Sequence, residues 1–287
     1  MVVNIADSQS ALTRKLPEES KHLENSERDL LIVDWSNMIH RTFHSLGAKD
    51  DLLSHDICLI AEQNIRSMTQ GVLFPGWRIA IVLDGGYSGR KEIYGGYKSE
   101  RMRSEDRAPS LVHALSGPTR EQAQRMTVVQ VFGFEADDVM AALAHAHTGN
   151  SYILSADRDL LQAVDDSTFL LVPKGPYDAP EVFGVDEVQQ KYGFPPALIP
   201  HYKALQGDKA DDVPQIPRVG HGTACRLVCD YGNIEGAIRA ALEGRLTPKL
   251  TQSLVFNRDT IALNLRLVTL VDVPGIEDIY LKLMERG

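Results

Sequence analysis

The chain has 287 residues, 43% hydrophobic and 24% charged, with a formal charge of −9. Those are globular values, which exclude a disordered or fibrous chain, and no apolar run approaches the roughly 18 residues of a membrane span. Three cysteines are too few for a disulfide framework, and the acidic balance argues at face value against a nucleic-acid binder.

Residues 1–27 are polar, mixed in charge and aperiodic, and read as a mobile tail without the apolar core of a signal peptide. Leu30–Val33 is a short apolar strand that ends in Asp34 and runs straight into a helical pattern. The grammar recurs: Arg78–Leu83 ends in Asp84. A basic, Gly-rich stretch follows without strand pattern, and it predicts a lid or arch at about 86–126. Thr127–Phe132 leads through Glu135, Asp137 and Asp138 into a predicted helix over Val139–His147. Ser151–Ser155 leads through Asp157 and Asp159 into one over Leu160–Val164. Phe169–Val172 is a further candidate strand. Beyond Val182 helical patterns dominate: Val185–Tyr192, Ala197–Gln206, Gly222–Tyr231, Ile234–Glu243 and Asp259–Leu267. Strand alternating with helix predicts an α/β fold, with a mostly parallel central sheet flanked by helices. We divide it into a core at 28–185 and a helical region at 186–287.

Four apolar strands end in carboxylates, and a parallel sheet brings all of those ends to one edge. One or two such acids would be ordinary helix caps. Seven on one edge repel one another unless cations separate them. A donor set of oxygens alone selects hard cations, Mg²⁺ or Mn²⁺, and a dense carboxylate cluster on two such ions is an arrangement for phosphodiester hydrolysis. A second signal lies at 206–231: Asp208 and Asp211 are followed by Gly220-His221-Gly222, a tight turn opening a helix. Backbone N–H groups at such a turn can hold a phosphate, although similar turns are common as plain connectors.

These segments together resemble the 5′ nuclease family of flap endonucleases, phage 5′→3′ exonucleases and the N-terminal nuclease domain of bacterial DNA polymerase I. Asp34 with Asn37 and Arg41 resembles the family's first motif. Asp84 followed by Arg90, Tyr94 and Tyr97-Lys98-Ser99-Glu100-Arg101 resembles its second motif and the start of its arch. Gly133-Phe134-Glu135-Ala136-Asp137-Asp138 and Asp157-Arg158-Asp159 are similar to its third and fourth. Gly207-Asp208 with Asp211, then Pro214, Gly220 and Thr223-Ala224, resembles its last acidic pair and helix–three-turn–helix, and the likeness continues to Leu263–Pro274. Two positions depart from the usual Gly-Ile-Gly-x-Lys-Thr: Arg218 replaces the first Gly, and Gly222 replaces the Lys.

The resemblance implies a PIN-like 5′ nuclease core with a helical arch and a C-terminal helix–three-turn–helix. It implies nine metal-site acids: Asp34, Asp84, Glu135, Asp137, Asp138, Asp157, Asp159, Asp208 and Asp211. Setting those nine aside removes the whole formal charge of −9, so the acidity no longer argues against DNA. It also implies two Mg²⁺ ions about 4 Å apart or somewhat more, replaceable by Mn²⁺, and K⁺ at the helix–three-turn–helix. Lys98 and Arg101 would steady the attacked phosphate and Tyr97 would stack on a base. Arg41, Arg90, Tyr94, Arg218, Gly220, Gly222 and Thr223 would contact DNA. Substrates would be 5′ flaps, nicks or ends, extending to RNA–DNA hybrids. A free-standing monomer in a bacterial or phage-infected cytoplasm follows, with replication or repair proteins acting in trans and no membrane partner.

Two other readings stand beside this one: a structure-specific DNA binder whose catalysis has lapsed, and an RNA-directed nuclease of the shorter toxin-type fold. Nine retained acids argue against the first, and the segment 186–287 against the second. His221, Cys225 and Cys229 have zinc-like spacing, but without a fourth ligand they read as a buried helix face. Asp157-x-Asp159 alone matches a glycosyltransferase pattern, with no nucleotide-sugar context around it.

Overall fold

A computed structural model describes residues 29–48, 52–70, 77–86, 89–99, 108–175 and 178–285. The tail at 1–27 and Arg101 lie outside the described residues.

Each apolar run forms the strand its pattern predicts. β1 (Leu30–Asp34), β2 (Arg78–Leu83), β3 (Thr127–Gln130), β4 (Ser151–Leu154) and β5 (Thr168–Val172) pair in parallel. β6 (Glu181–Phe183) adds an antiparallel edge, giving the order β3-β2-β1-β4-β5-β6. Three residues are too few for a period of two to show, so β6 carries no strand pattern in the sequence. The register pairs Leu30 with both Arg78 and Ser151, so the C-terminal ends of β1, β2 and β4 lie level.

Successive residues of a strand point to opposite faces, and both faces are covered. Leu31, Val33, Ile81, Leu83 and Leu154 pack against α1 (Trp35–Ser45), α2 (Ser54–Thr69) and α4 (Pro109–Leu115). Leu30, Ile32, Ala80, Val82 and Ile153 pack against α6 (Ala136–Ala146). The same core runs on without a break into the C-terminal helices: α7 (Val185–Tyr192), α8 (Ile199–Gln206), α9 (His221–Tyr231), α10 (Ile234–Leu242), α11 (Pro248–Phe256), α12 (Arg258–Val268) and α13 (Ile276–Glu285). Among the described residues no helix is long and apolar enough to cross a membrane.

Three local expectations change. Arg158–Ala163 is a 3₁₀ helix rather than an α-helix. α8 begins only at Ile199, after a single 3₁₀ turn. The stretch expected as an arch at 86–126 belongs to the core at its far end. It carries α3 (Gly89–Ile93) near its start, but α4 buries Leu111 and Ala114, and the indole Nε1 of Trp35 donates to the Ala114 carbonyl at 2.9 Å. The short helix α5 (Gln122–Arg125) is tied down as well, because Gln122 donates to the Cys58 carbonyl and to Glu62. Residues from Pro109 onward therefore belong to the core.

Candidate metal centre and its flanks

In a parallel α/β sheet the site lies where the strand order reverses. Here that point falls between β1, whose chain proceeds to β2 and β3, and β4, which proceeds to β5 on the other side. Asp34 closes β1 and caps α1, its Oδ1 accepting from the Asn37 backbone N–H at 3.0 Å. Its Oδ2 accepts from the Ser155 hydroxyl at 2.7 Å, and Ser155 Oγ in turn accepts from the Asp157 N–H. Asn37 receives the Ala156 N–H. This stitch locks the β1 and β4 ends together. Asp157 repeats the capping device for the next turn, accepting from the Asp159 N–H at 2.9 Å. The cap reading is therefore correct for Asp34 and Asp157, yet it uses only part of each carboxylate's accepting capacity.

The remaining acids gather around this seam. Burial pushes the Asp34 carboxyl up to about 6, aided by the charges of Asp157 and Asp84. Burial also holds Asp137 well above the usual carboxylate range, with Asp157, Asp34 and Glu135 as like-charged neighbours. Asp159 rises to about 6 through burial and through Asp157 and Asp208, although Lys203 pulls the other way. Two like-charged groups thus share Asp157: one with Asp34, Asp84, Asp137 and Glu135, the other with Asp159 and Asp208.

Lysines fill the gaps between them. Lys203 Nζ lies 2.5 Å from Asp159 and 2.7 Å from Asp208. That ion pair, with the backbone N–H groups of Ala210 and Asp211, outweighs burial and holds Asp208 below its ordinary value. Lys98 Nζ is 2.9 Å from Glu135 and 3.8 Å from Asp211, and its backbone N–H donates to the Asp211 carbonyl. Among the described residues no three metal-ligating side chains converge closely enough to hold an ion as they stand. The donor set nevertheless fits hard divalent cations. It is all oxygen, it is partly buried, and its like charges raise one another's proton affinity, which a cation would relieve.

Three of the predicted site residues sit elsewhere than expected. Asp138 is 1% exposed and turned into the core, where both its oxygens meet Arg90 at 2.7 and 2.8 Å and one takes the Val271 N–H. Arg90, expected on DNA, is 5% exposed and donates also to Glu135 and to the carbonyls of Leu267 and Thr269. No donor of that guanidinium is left for a phosphate. Tyr97, expected to stack on a base, is 4% exposed and gives its hydroxyl to Glu135. Arg90 and Tyr97 thus hold Glu135 from below, while Tyr94 packs against the core as a partly buried ring. Lys203 and Ser155 were missed. Lys203 lies on a helix with no motif around it, whereas Ser155 directly follows a strand end, where a hydroxyl could have been noticed.

The turn from Gly207 to Gly220 sets the second element. Gly207 has φ +75°, and a Cβ there would meet Gln215 Cα and the Pro214 carbonyl at 2.7 Å. Asp208 and Val213 exchange backbone hydrogen bonds at 3.1 and 2.7 Å, closing the loop that presents Asp208 and Asp211. Arg218 adopts φ +67°, the left-handed conformation that favours glycine. Gly220 precedes α9 without a side-chain cap, so the first amides of α9 have no side-chain acceptor. Gly222 is exposed with open space around its missing Cβ, and Thr223 is half-buried. Arg41 lies on α1, reaching the Lys174 carbonyl at 3.4 Å. His221 and Cys225 stand 3.9 Å apart, but His221 Nδ1 meets the Tyr202 hydroxyl at 2.7 Å, a packing contact rather than a zinc site.

With this geometry in view, comparison with known proteins agrees. Residues 29–193 match the model of the 5′-3′ exonuclease N-terminal resolvase-like domain, and residues 194–282 that of the 5′-3′ exonuclease C-terminal SAM fold. DNA polymerase I of Mycobacterium leprae is 30% identical over 257 residues, covering 86% of this chain and 28% of the relative. The thermostable DNA polymerase I of Thermus aquaticus is 28% identical over 241 residues, covering 82% and 28%. The chain thus spans little more than a quarter of the length of these relatives. The T5 5′-exonuclease solved with zinc superposes with a TM-score of 0.70 at 17% identity, covering 90% of this chain and 99% of that one. The catalytic core of Rad2 in complex with DNA gives 0.51 at 14%, covering 90% and 79%. Matched from residue 29 to 282 by paired models of one family, the chain belongs to the 5′-3′ exonuclease family.

Proposed function

We propose that the chain is a structure-specific 5′ nuclease, acting as a 5′→3′ exonuclease or flap endonuclease and hydrolysing DNA phosphodiesters with divalent metal ions. The observation that carries this is the acid edge at the switch point: Asp34 and Asp157 stitched through Ser155, with acids crowded on either side. Asp34, Asp84, Glu135, Asp137, Asp157, Asp159, Asp208 and Asp211 would hold two Mg²⁺, with Mn²⁺ able to replace them. Bound there, the ions supply an activated water and neutralise charge on the departing oxygen. Lys98 stands at the rim of the acids, where its charge can turn from Glu135 to an incoming phosphate. The uncapped amides at the start of α9, with Arg218 beside them, grip duplex phosphates, and a K⁺ at this turn would strengthen that grip.

The substrate in this reading is DNA with a 5′ flap, nick or end, extending to an RNA primer on DNA. The protein would act as a monomer in a bacterial or phage-infected cytoplasm, with replication proteins in trans. The test compares a 5′-flap DNA duplex with single-stranded RNA of the flap sequence, both in Mg²⁺. The flap is cut and the RNA is not. Cutting of the RNA alone would overturn the reading in favour of an RNA-directed nuclease.

A further inference from the structure

The run Thr127–Phe132 reads as one strand, but pairing stops at Gln130 and the backbone turns outward. Gly133 takes φ +88°, and Phe134 N–H closes the turn on the Val131 carbonyl at 3.2 Å. Val131 and Phe134 tuck against the core, while Phe132 between them is 80% exposed, the most exposed large hydrophobic side chain among the described residues.

This turn is not a loose loop. Gly85, the residue after Asp84, donates to the Phe134 carbonyl at 3.1 Å and accepts from Gly133 N–H at 3.3 Å. A Cβ on Gly85 would meet the Val131 carbonyl at 1.9 Å and that of Phe134 at 2.5 Å, so the two segments are in direct backbone contact. Gln130 Nε2 adds a bond to the Asp84 carbonyl at 2.8 Å. The ring is thus presented on a stitched scaffold beside Asp84 and three residues before Glu135. Single exposed apolar residues are common and need no explanation. A rigidly presented ring at the lip of an acid centre is different, because every nucleobase offers a flat face to such a ring.

The sheet order also tells which base. The strand ends run β3, β2, β1, β4, so Phe132 stands at the flank beyond Asp84. The start of α9 stands on the other side, where His221 meets Tyr202 beside Lys203, while the loop before it reaches the acids through Lys203 to Asp159 and through Lys98 to Glu135. A strand whose duplex part is gripped at α9 crosses the acids toward Phe132. Resting on the nuclease reading above, we propose that Phe132 is the stacking platform for the nucleobase on the flap side of the scissile phosphate.

The test measures kcat/KM on a 5′-flap duplex for wild type, Phe132→Ala and Phe132→Trp. Each enzyme is also given two further substrates, abasic at the nucleotide on the flap side or on the duplex side of the cut. Phe132→Ala lowers kcat/KM by about 5- to 100-fold, the contribution of one base on one ring, while Phe132→Trp retains wild-type values. The flap-side abasic substrate lowers the wild type by a similar factor and leaves Phe132→Ala unaffected, because the partner is already gone. Unchanged circular dichroism for both variants is expected of so exposed a residue. Wild-type kinetics in Phe132→Ala, or equal sensitivity of Phe132→Ala and wild type to the flap-side abasic site, overturns the inference while leaving the nuclease reading intact. A wild type that cuts no DNA in Mg²⁺ or Mn²⁺ overturns the nuclease reading itself, and the inference with it.

Discussion

Arg90 is surrounded by five acceptors: two carbonyls at the end of α12, one oxygen of Glu135 and both of Asp138. Burial alone would lower its proton affinity, but the two carboxylates raise it above the ordinary range. Such a pair is costly to break from one side, because the partner charges stay buried. Arg90→Ala is expected to lower stability by about 3–5 kcal/mol. Duplex affinity measured well below the melting temperature stays near wild type. A phosphate-contacting arginine would show the reverse pattern in melts and binding titrations.

The acids themselves were legible because each closes an apolar run. The fate of Asp138 was legible in principle too. Neighbours on a helix point about 100° apart, so Asp137 and Asp138 at the start of α6 could not both face the edge. Lys203 and Tyr97 were not, since a lysine on an amphipathic helix or a tyrosine in a Gly-rich stretch carries no sign of what it will touch.

Asp34 and Asp159, both raised to about 6, give a pH dependence of definite sign. A carboxylate with a raised native value binds its proton more tightly folded than unfolded. Its stabilisation is full below the unfolded value near 3.9 and is lost as pH rises through about 6. Metal-free protein should therefore melt a few degrees higher at pH 5.5 than at pH 7.5. Mg²⁺ at pH 7.5 should raise the melt and close that difference by separating the same charges. Melts in EDTA that are highest at pH 7.5 would contradict this.

At the scale of elements, the loop between α8 and α9 carries two tests. Gly207→Ala forces a Cβ onto Gln215 at φ +75°, displacing the loop that holds Asp208. It should lose more than about 2 kcal/mol in denaturant unfolding and most of its cleavage activity. Gly222 faces open space one residue into α9, so Gly222→Lys adds a charge there without a clash. Duplex affinity should rise, and the slope of log K against log salt should steepen by about 1. An unchanged slope would show that this turn does not touch phosphate.

Strand and helix order was readable here because Pro and Gly punctuate strongly periodic runs. β6, α2, α11 and α13 were not. The strand is too short to show a period, and α2 begins without a side-chain cap, whereas α11 carries a start signal that could have been noticed, Thr247 capping the Leu250 N–H with Pro248 in the first turn. The far end of the stretch expected as an arch belongs to the core for a related reason. The apolar residues Leu111, Val112, Ala114 and Leu115 make too short a run to mark a core helix by their period, and tertiary contact with Trp35 makes α4 part of the core.

For the whole molecule, a net charge of −9 reads differently once its acids are placed. Asp34, Asp84, Asp137, Asp157 and Asp159 gather on one sheet edge at the switch point, flanked by a lysine on each side and by the uncapped start of α9. In the proposed reading that distribution serves metal-assisted cutting of a polyanion, with like charges concentrated where cations would bind and donors where phosphates would lie. The family match fixes the lineage of this arrangement, and the chain spans about 28% of the polymerase relatives that share it.

The most direct measurement uses a 5′-flap duplex labelled on the flap strand, with and without Mg²⁺, comparing wild type with Asp157→Ala. Asp157 is the acid shared by both charge groups. Cleavage by wild type that needs Mg²⁺ and falls at least 1,000-fold in the variant, on the order of a lost metal-centre function, is the predicted result. Retained flap binding without cleavage by wild type in Mg²⁺ or Mn²⁺ would contradict it and leave a structure-specific DNA-binding protein.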